Sequence, residues 1–287
     1  MTPIVWHCRH HRFALTHRPL VMGIVNVTPD SFSDGGQFVA PQMAIDYGLK
    51  LIAEGADILD VGGESTRPGA TPVTEADELR RVIPVIEGLI RQNKNVVISV
   101  DTMKPKVARA AYDAGAATIN DVSGFRDPAM IRMATETDAG LVVMHMPGTP
   151  QTMNDNPLYL DIVAEVRDYL QHQVNTLIEA GVEPTRIAID PGIGFGKFTD
   201  HSLTLLANLD ALQVIGRPLC LGVSRKGFIG KITGHDTPDR MAGSLAVGCF
   251  ALAVNSAQIL RVHDVAATRD AAILWEAIRQ RRTPRTL

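Results

Sequence analysis

Short apolar runs rich in β-branched residues alternate with longer amphipathic stretches along most of the chain. This alternation is typical of repeated strand–helix units that build a parallel sheet. Runs of this kind predict eight strands, at residues 20–26, 58–61, 96–100, 118–120, 141–145, 187–189, 219–222 and 258–262. Because eight such units close a barrel, we predict an α/β fold of the (β/α)8 TIM barrel type, with an open doubly wound sheet as the alternative.

Local signals mark the ends of several elements. Residues 3–15 precede the first barrel strand and predict a β-hairpin that covers the bottom of the barrel. Thr74 followed by Asp77 is typical of a helix start, and Gly181 is typical of the position just after a helix.

An apolar stretch at residues 241–254 contains several small residues and is shorter than the roughly 20 residues that a membrane-spanning helix needs. We therefore expect a buried helix there. No linker or internal repeat divides the chain, so we predict a single domain over residues 1–287, with the barrel at about residues 19–281.

The charge balance and the cysteines limit the classes of partner. Lys and Arg number 28 against 31 Asp and Glu, a net charge of −3, so no overall field favours nucleic acid or an anionic membrane. Cys8, Cys220 and Cys249 have no CxxC spacing, which argues against a disulfide framework or a cysteine zinc site. Since no signal-peptide core is visible near the amino terminus, we expect a cytoplasmic protein.

Polar residues stand at the carboxyl end of nearly every predicted strand, where barrel enzymes place their active sites. One such residue is usually a helix cap or a turn residue, but polar residues at eight strand ends favour a common site. They are Asn26, Asp60, Glu64, Asp101, Asn120, Asp121, His145, Asp190, Ser224, Arg225, Lys226, Arg261 and His263.

These residues and their neighbours suit two kinds of ligand group. A flat ring with adjacent N–H and NH2 donors matches carboxylate and amide acceptors, for which Asp101, Asn120 and Asp190 are the candidates. An anion pocket needs cations, and the candidates for it are Arg67, Lys197, Arg225, Lys226, Arg261 and His263.

A glycine-rich segment at residues 192–197, GIGFGK, fits neither a Walker A loop nor the GxGxxG pattern, which weakens a nucleotide-binding interpretation. Its glycines predict either tight turns with positive φ or direct contact with a ligand.

Two long motifs and five short ones resemble those of the dihydropteroate synthases. The long ones are MGIVNVTPDSFSDGG at residues 22–36 and DVGGESTRPG at residues 60–69. The short ones are SVDT at residues 99–102, INDV at 119–122, DPG at 190–192, SRK at 224–226 and RVHD at 261–264. The resemblance implies a Mg2+-assisted transferase of folate biosynthesis. Such an enzyme condenses 6-hydroxymethyl-7,8-dihydropterin pyrophosphate with p-aminobenzoate, giving 7,8-dihydropteroate and pyrophosphate.

The same resemblance implies a role for individual residues. The pterin ring is expected against Asp101, Asn120, Asp190 and Lys226. The pyrophosphate is expected against Asn26, Thr66, Arg261 and His263, with Asn26 also a ligand of Mg2+. The p-aminobenzoate pocket is expected to contain Thr66, Arg67, Pro68, Phe195, Ser224 and Lys226.

Each role has a simpler alternative. Asn26 could cap a turn, Arg261 could form an ordinary salt bridge, and His263 could cap the last helix. Phe195 could belong to the core. By resemblance, the loops at residues 66–68 and 31–36 are mobile and close over the bound substrates.

The catalytic residues implied are Asp101, Lys226, Arg261 and His263. The family mechanism begins with departure of pyrophosphate, which Mg2+ and the cationic side chains would promote. Asp101 would stabilise the resulting pterin methylene cation, and the aniline nitrogen would then attack it.

Two other functions remain as alternatives. A pterin-dependent methyltransferase shares the barrel but would not need the 66–68 loop or the Arg261 and His263 anion anchors. A non-catalytic pterin-binding paralogue would keep the fold without the chemistry. The family is usually homodimeric, so we expect a homodimer.

Overall fold

Strands and helices alternate along the chain from residue 20 onward. The computed structural model describes residues 4–15, 18–28, 39–67 and 69–281. Its strands are β1 Val5–Cys8, β2 His11–Ala14, β3 Leu20–Asn26, β4 Ile58–Gly62, β5 Ile98–Asp101, β6 Thr118–Asp121, β7 Gly140–Met144, β8 Ile187–Asp190, β9 Cys220–Leu221 and β10 Ile259–Val262. Its α-helices are α1 Val39–Ala53, α2 Glu75–Gln92, α3 Pro105–Asp113, α4 Pro128–Thr135, α5 Ile162–Glu179, α6 Thr199–Ala207, α7 Gly227–Thr233, α8 Met241–Ala253 and α9 Val265–Gln280. Short 3-10 helices occupy Pro184–Arg186, Leu209–Ile215 and Thr237–Arg240.

The eight strands from β3 to β10 form one parallel sheet in the order β8-β7-β6-β5-β4-β3-β10-β9. A parallel bridge between Ile189 and Leu219 joins the two edges of this sheet, so the strands surround a common interior. The predicted barrel is confirmed, and the open doubly wound sheet is wrong. Each strand lies within about two residues of its predicted position, because the apolar runs that specify it are also the residues that become buried.

The predicted amino-terminal hairpin is also confirmed, since β1 and β2 pair antiparallel. Trp6 and Cys8 are fully buried in an apolar cluster with the first residues of barrel strands, such as Leu20 and Ile58. The Trp6 Nε1–H donates to the carbonyl oxygen of Arg186 over 2.9 Å. The hairpin therefore closes the amino-terminal end of the barrel, opposite the strand ends that carry the polar residues.

Alternation along each strand sends neighbouring residues to opposite faces. In β4, Leu59 and Val61 pack in the large cluster beneath the helices, whereas Ile58 lies in the interior cluster at the bottom. Asp60 has the same parity as Ile58 and contacts residues from across the barrel. The period of two therefore turns the polar strand ends inward, above an apolar floor.

The predicted helix borders are confirmed. The Thr74 hydroxyl accepts a hydrogen bond from the Asp77 N–H at the start of α2. Gly181 lies just beyond α5 with φ of 105°, a positive value that favours glycine.

The expectation that residues 241–254 form a buried helix is wrong in one respect. The helix exists as α8, but Gly248, Ala251 and Leu252 are its buried residues, whereas Met241 and Phe250 are exposed. Only one side of α8 packs on the barrel, and its other side is apolar as well. Among the described residues, no helix combines the length and hydropathy required to cross a membrane.

Candidate active site

Arg261 lies between two carboxylates inside the barrel. Its Nε is 2.6 Å from Asp60 Oδ2, and its Nη2 is 2.7 Å from Asp101 Oδ2. Asn120 Nδ2 donates to the same Asp60 oxygen over 3.0 Å. These contacts join β4, β5, β6 and β10 into one polar network at the carboxyl end of the barrel.

The network contains one guanidinium and two carboxylates, and this imbalance shifts the pKa values of its members. Burial raises the pKa of Asp101 to about 7, and the negative charge of Asp60 adds to the rise while Arg261 opposes it. Burial acts to lower the pKa of Arg261, but the two carboxylates raise it by more. Arg261 is therefore a permanent cation, whereas Asp101 can gain or lose a proton near neutral pH.

Asp190 and Lys226 lie in the same interior, where the charge of each affects the pKa of the other. Burial raises the pKa of Asp190, with Lys226 opposing the rise. Burial lowers the pKa of Lys226 to about 8, with Asp190 opposing the fall. Lys226 Nζ donates to the Ile193 carbonyl oxygen and lies 4.4 Å from the centre of the Phe195 ring. The structure thus brings together Lys226, Asp190 and Phe195, which the sequence assigned to adjoining pockets.

Ser224 and His263 meet beside this pair. The Ser224 Oγ lies 3.0 Å from His263 Nδ1 and accepts a hydrogen bond from the His263 backbone N–H over 3.1 Å. Burial lowers the pKa of His263 to about 4, and the charges of Arg261, Arg225 and Arg67 lower it further. An imidazole with this pKa is neutral at pH 7, so His263 differs from the expected cation and acts here through hydrogen bonds.

Two of the proposed pocket cations are turned away from the network. Arg225 forms a salt bridge with Asp264, with Nε 3.0 Å from Asp264 Oδ2. Lys197 is buried against His145 and the Phe195 carbonyl oxygen, and burial lowers its pKa well below the usual value. Arg225 is therefore paired with a carboxylate outside the network, and Lys197 is held by polar groups of the protein.

Two of the polar strand-end residues also have structural partners outside the network. Glu64 accepts a hydrogen bond from Lys104 Nζ. Asp121 has the opposite strand parity from Asn120 and accepts hydrogen bonds from the backbone N–H groups of Ser123 and Phe125. The convergence predicted at the strand ends is therefore only partly observed.

The loop assigned to p-aminobenzoate is only partly described. Thr66 is half-buried and Arg67 is exposed, while Pro68 and the loop at residues 31–36 lie outside the described residues. The charge of Arg67 reaches His263, since it contributes to the lowered pKa of that imidazole. Closure of the two loops stays a prediction.

A magnesium ligand was assigned to Asn26, the last residue of β3. Among the described residues, no group of three or more His, Cys, Asp or Glu side chains is arranged to hold a metal ion. A single amide oxygen nevertheless fits Mg2+, because this ion keeps several waters and is commonly completed by substrate phosphates. The assignment of Asn26 remains a prediction.

Asp60 is the residue that the sequence left without a role. It is fully buried, bridges Asn120 to Arg261, and its Oδ1 has no hydrogen-bond partner among the described residues. It lies two residues after Ile58, the first residue of β4, so its side chain faces the barrel interior like that of Ile58. This alternation is a signal from which the sequence could have predicted its place in the site.

Comparison with known proteins identifies the family. A family model described as pterin binding enzyme matches residues 22–263, a range that includes at least part of each of the eight barrel strands. The dihydropteroate synthase of Escherichia coli strain K12 is 45% identical over 263 residues, covering 92% of each chain. The chain belongs to the dihydropteroate synthase family.

Solved structures of dihydropteroate synthases agree with this assignment. One from Xanthomonas albilineans with 4-aminobenzoic acid superposes with a TM-score of 0.91 at 48% identity, covering 99% of this chain and 100% of the other. Another, from the same organism in complex with 7,8-dihydropteroate, has a TM-score of 0.87 at 45% identity, covering 98% and 100%. The polar network therefore lies in a dihydropteroate synthase barrel.

Proposed function

We propose that this chain is a transferase of folate biosynthesis that condenses 6-hydroxymethyl-7,8-dihydropterin pyrophosphate with p-aminobenzoate, releasing 7,8-dihydropteroate and pyrophosphate. The observation that carries this proposal is the inward network of Asp60, Asp101, Asn120 and Arg261, with Asp190 and Lys226 beside it. Related proteins bound to 4-aminobenzoic acid and to 7,8-dihydropteroate support the choice of substrate and product.

The pterin ring is the ligand that the acceptors suit best. Asp190 and Asn120 offer a carboxylate and an amide to a ring edge that carries N–H and NH2 donors. Asp190 is largely buried, and one of its oxygens also accepts the Gly192 N–H over 2.7 Å, which fixes the carboxylate in one orientation. Lys226 would donate to the ring carbonyl oxygen.

Pyrophosphate leaves when the bond between the methylene carbon and the bridging oxygen breaks, and the oxygen keeps the electron pair. Arg261 would receive the growing negative charge, since its two carboxylate contacts use Nε and Nη2 out of five N–H donors. His263 would donate a hydrogen bond. Mg2+, held by Asn26 and the phosphates, would supply further positive charge when bound.

The electron-poor methylene then forms a bond with the aniline nitrogen, which afterwards loses a proton. Asp101 in its ionised form would stabilise the positive charge on the pterin before this attack. Phe195 would support the aminobenzoate ring, and Ser224, Thr66, Arg67 and Pro68 would complete its pocket. No strong base is needed, because an aniline nitrogen is already nucleophilic near neutral pH.

The deciding experiment follows pyrophosphate release from dihydropterin pyrophosphate and Mg2+, with and without p-aminobenzoate, while chromatography measures dihydropteroate. Equal amounts of dihydropteroate and pyrophosphate would support the proposal. Pterin binding without any product would instead identify a non-catalytic pterin-binding protein, and methyl transfer would identify a pterin-dependent methyltransferase.

We further propose a homodimer in the cytoplasm. The dimer is supported by exposed apolar residues on α8 and α9, which pack against each other, and directly after α8. We call these residues the α8–α9 face; they are Phe250, Val254, Ile273, Leu274 and Ile278. The location is supported by three cysteines that are all free thiols, one of them exposed.

A further inference from the structure

Lys197 is a buried lysine with three polar contacts and no carboxylate partner among the described residues. Its Nζ lies 2.8 Å from His145 Nδ1, 3.2 Å from the His145 carbonyl oxygen and 3.0 Å from the Phe195 carbonyl oxygen. These three groups take up the hydrogen-bonding capacity of an amine that has left water. The side chain therefore connects two backbone segments and is not available to an anionic ligand.

The two segments are the end of β7 and the turn after β8. His145 directly follows β7, and its backbone N–H donates to the Asp190 carbonyl oxygen over 3.0 Å. The turn at residues 192–196 has three glycines with positive φ, and a Cβ added to Gly192 would collide with the His145 carbonyl oxygen. The turn thus lies directly against β7, and Lys197 fastens it there.

The same turn holds Lys226. Its Ile193 carbonyl oxygen accepts a hydrogen bond from Lys226 Nζ, and the Phe195 ring centre is 4.4 Å from that nitrogen. A Cβ on Gly194 would come within 3.2 Å of Lys226 Cδ, so the backbone approaches the lysine stem closely. The position of this turn therefore decides where the Lys226 ammonium and the Phe195 ring stand.

The neighbouring His145 does not act as a cation. Burial lowers its pKa to about 2, with the charge of Lys197 lowering it further. Its ring packs edge-on against Tyr169 with centres 4.9 Å apart, which fixes the direction of Nδ1. A neutral imidazole in a fixed orientation is a suitable partner for the buried amine.

We propose that Lys197 is a positioning residue, which with His145 fixes the 192–196 turn so that Phe195 and Ile193 hold Lys226 between the pterin and p-aminobenzoate sites. This inference rests on the proposed function. Lys197 touches neither substrate in this arrangement, and it acts through the Phe195 carbonyl oxygen and the turn.

The first test is Lys197→Met, which keeps a long unbranched side chain but removes all three polar contacts. We expect kcat/KM for p-aminobenzoate to fall about 30-fold, mainly through KM, because small misplacements in a binding site have large kinetic effects. Because part of the effect passes through the Phe195 ring, adding Lys197→Met to Phe195→Ala should lower kcat/KM by clearly less than about 30-fold; the remaining loss reflects the displaced Lys226.

A purely stabilising role predicts different results. In that case Lys197→Met would lower the urea midpoint while leaving the kinetic constants of the folded enzyme unchanged, or its kinetic effect would be the same with and without Phe195→Ala. Either result would overturn the proposal. The matched control is Arg186→Met, which removes another buried cation that donates to two carbonyl oxygens, those of Ala139 and Ala134, before β8. We expect this control to lose stability and to keep its KM for p-aminobenzoate.

A second variant covers the case in which Lys197→Met does not fold. His145→Phe keeps a ring against Tyr169 but removes the Nδ1 contact, and we expect a smaller rise in the same KM. Wild-type kinetics for His145→Phe would count against the proposal. Wild-type turnover is measured first, because a wild type that makes no dihydropteroate contradicts the proposed function. If the wild type binds the pterin without turning it over, the dissociation constant of dihydropterin pyrophosphate is compared between the wild type and Lys197→Met, because Lys226 is proposed to contact that ring. An unchanged constant would overturn the proposal.

Discussion

At the scale of single residues, the distinctive feature is the sharing of Arg261 by Asp60 and Asp101. Two buried carboxylates beside one guanidinium leave a surplus negative charge, which favours proton uptake by one of them. Burial raises the pKa of Asp101 to about 7 and lowers that of Lys226 to about 8. The residues proposed to handle positive and negative charge therefore titrate close to neutrality.

We predict a bell-shaped pH profile for kcat/KM. Asp101 must be ionised, so activity should rise as pH increases through about 7, and Lys226 must be protonated, so activity should fall above about 8. Initial rates of dihydropteroate formation between pH 5.5 and 9.5 would measure both limbs. We expect Asp101→Asn to lower kcat about 100-fold, which is typical for loss of one charge-stabilising group.

Pyrophosphate also titrates in this pH range. The pH profiles of two variants therefore distinguish titration of the protein from titration of the substrate. The rising limb should disappear in Asp101→Asn. It should move to lower pH in Asp60→Asn, since removing a nearby negative charge favours the ionised form of Asp101. Normal turnover by Asp101→Asn with intact pterin binding would show that its assigned role is wrong.

At the scale of elements, ion pairs fix the connection between β4 and α2 to the barrel. Lys104 Nζ binds both Glu64 and Glu78, and Glu78 is fully buried in the first turns of α2. Glu64 also accepts the Val73 N–H over 3.1 Å. This triad holds both ends of the connection that contains Thr66, so it links the stability of α2 to the loop that we propose contacts p-aminobenzoate.

We predict that Lys104→Met destabilises the protein by about 3 kcal/mol, because two buried carboxylates lose their shared cation. Urea unfolding followed by circular dichroism would measure the change. The control is Lys106→Met, which breaks an exposed pair with Glu75 and should cost less than about 0.5 kcal/mol. Equal losses for the two variants would mean that the triad does not stabilise α2.

The amino-terminal hairpin is an element far from the chemistry. Trp6 is fully buried against the amino ends of the barrel strands. We predict that Trp6→Ala lowers the free energy of unfolding by about 3 to 5 kcal/mol, as expected for a large core cavity. The folded fraction of Trp6→Ala should have the same KM values as the wild type. A change in KM with unchanged stability would contradict this division between the two ends of the barrel.

At the scale of the whole molecule, the α8–α9 face remains to be explained. Phe250 is 45% exposed, Leu274 is 64% exposed and Ile278 is 72% exposed, although the helices that carry them pack against the barrel. Apolar residues that cluster on one exposed face usually mark an interface. A second copy of the chain is the partner that we propose for it.

We predict that the wild type is a dimer by light scattering coupled to size-exclusion chromatography, and that Phe250→Glu combined with Leu274→Glu yields a monomer. Burying a glutamate in an apolar interface is unfavourable, whereas a monomer leaves it in water. Val214→Glu, which changes an exposed apolar residue in a 3-10 helix outside this face, should remain a dimer. A wild type that runs as a monomer would refute the proposed dimer.

The number of strands, the hairpin and the polar strand ends could all be predicted from the sequence. Each depends on local periodicity or on residues close together in the chain, which the order of apolar and polar positions states directly. The two long motifs and the five short ones were together sufficient to indicate the family. The residue types alone also predicted which groups suit a flat ring with adjacent N–H and NH2 donors.

Only the tertiary structure decided how those residues pair. Arg261 meets Asp60 across 201 positions of sequence, and this contact places an expected anion ligand at the centre of a charge network. Lys197 and Arg225 looked equivalent to Lys226, yet each finds its partners inside the protein. Composition also left open which side of α8 is covered. A side chain's partners and the pKa of a buried group depend on distances that only the closed barrel sets.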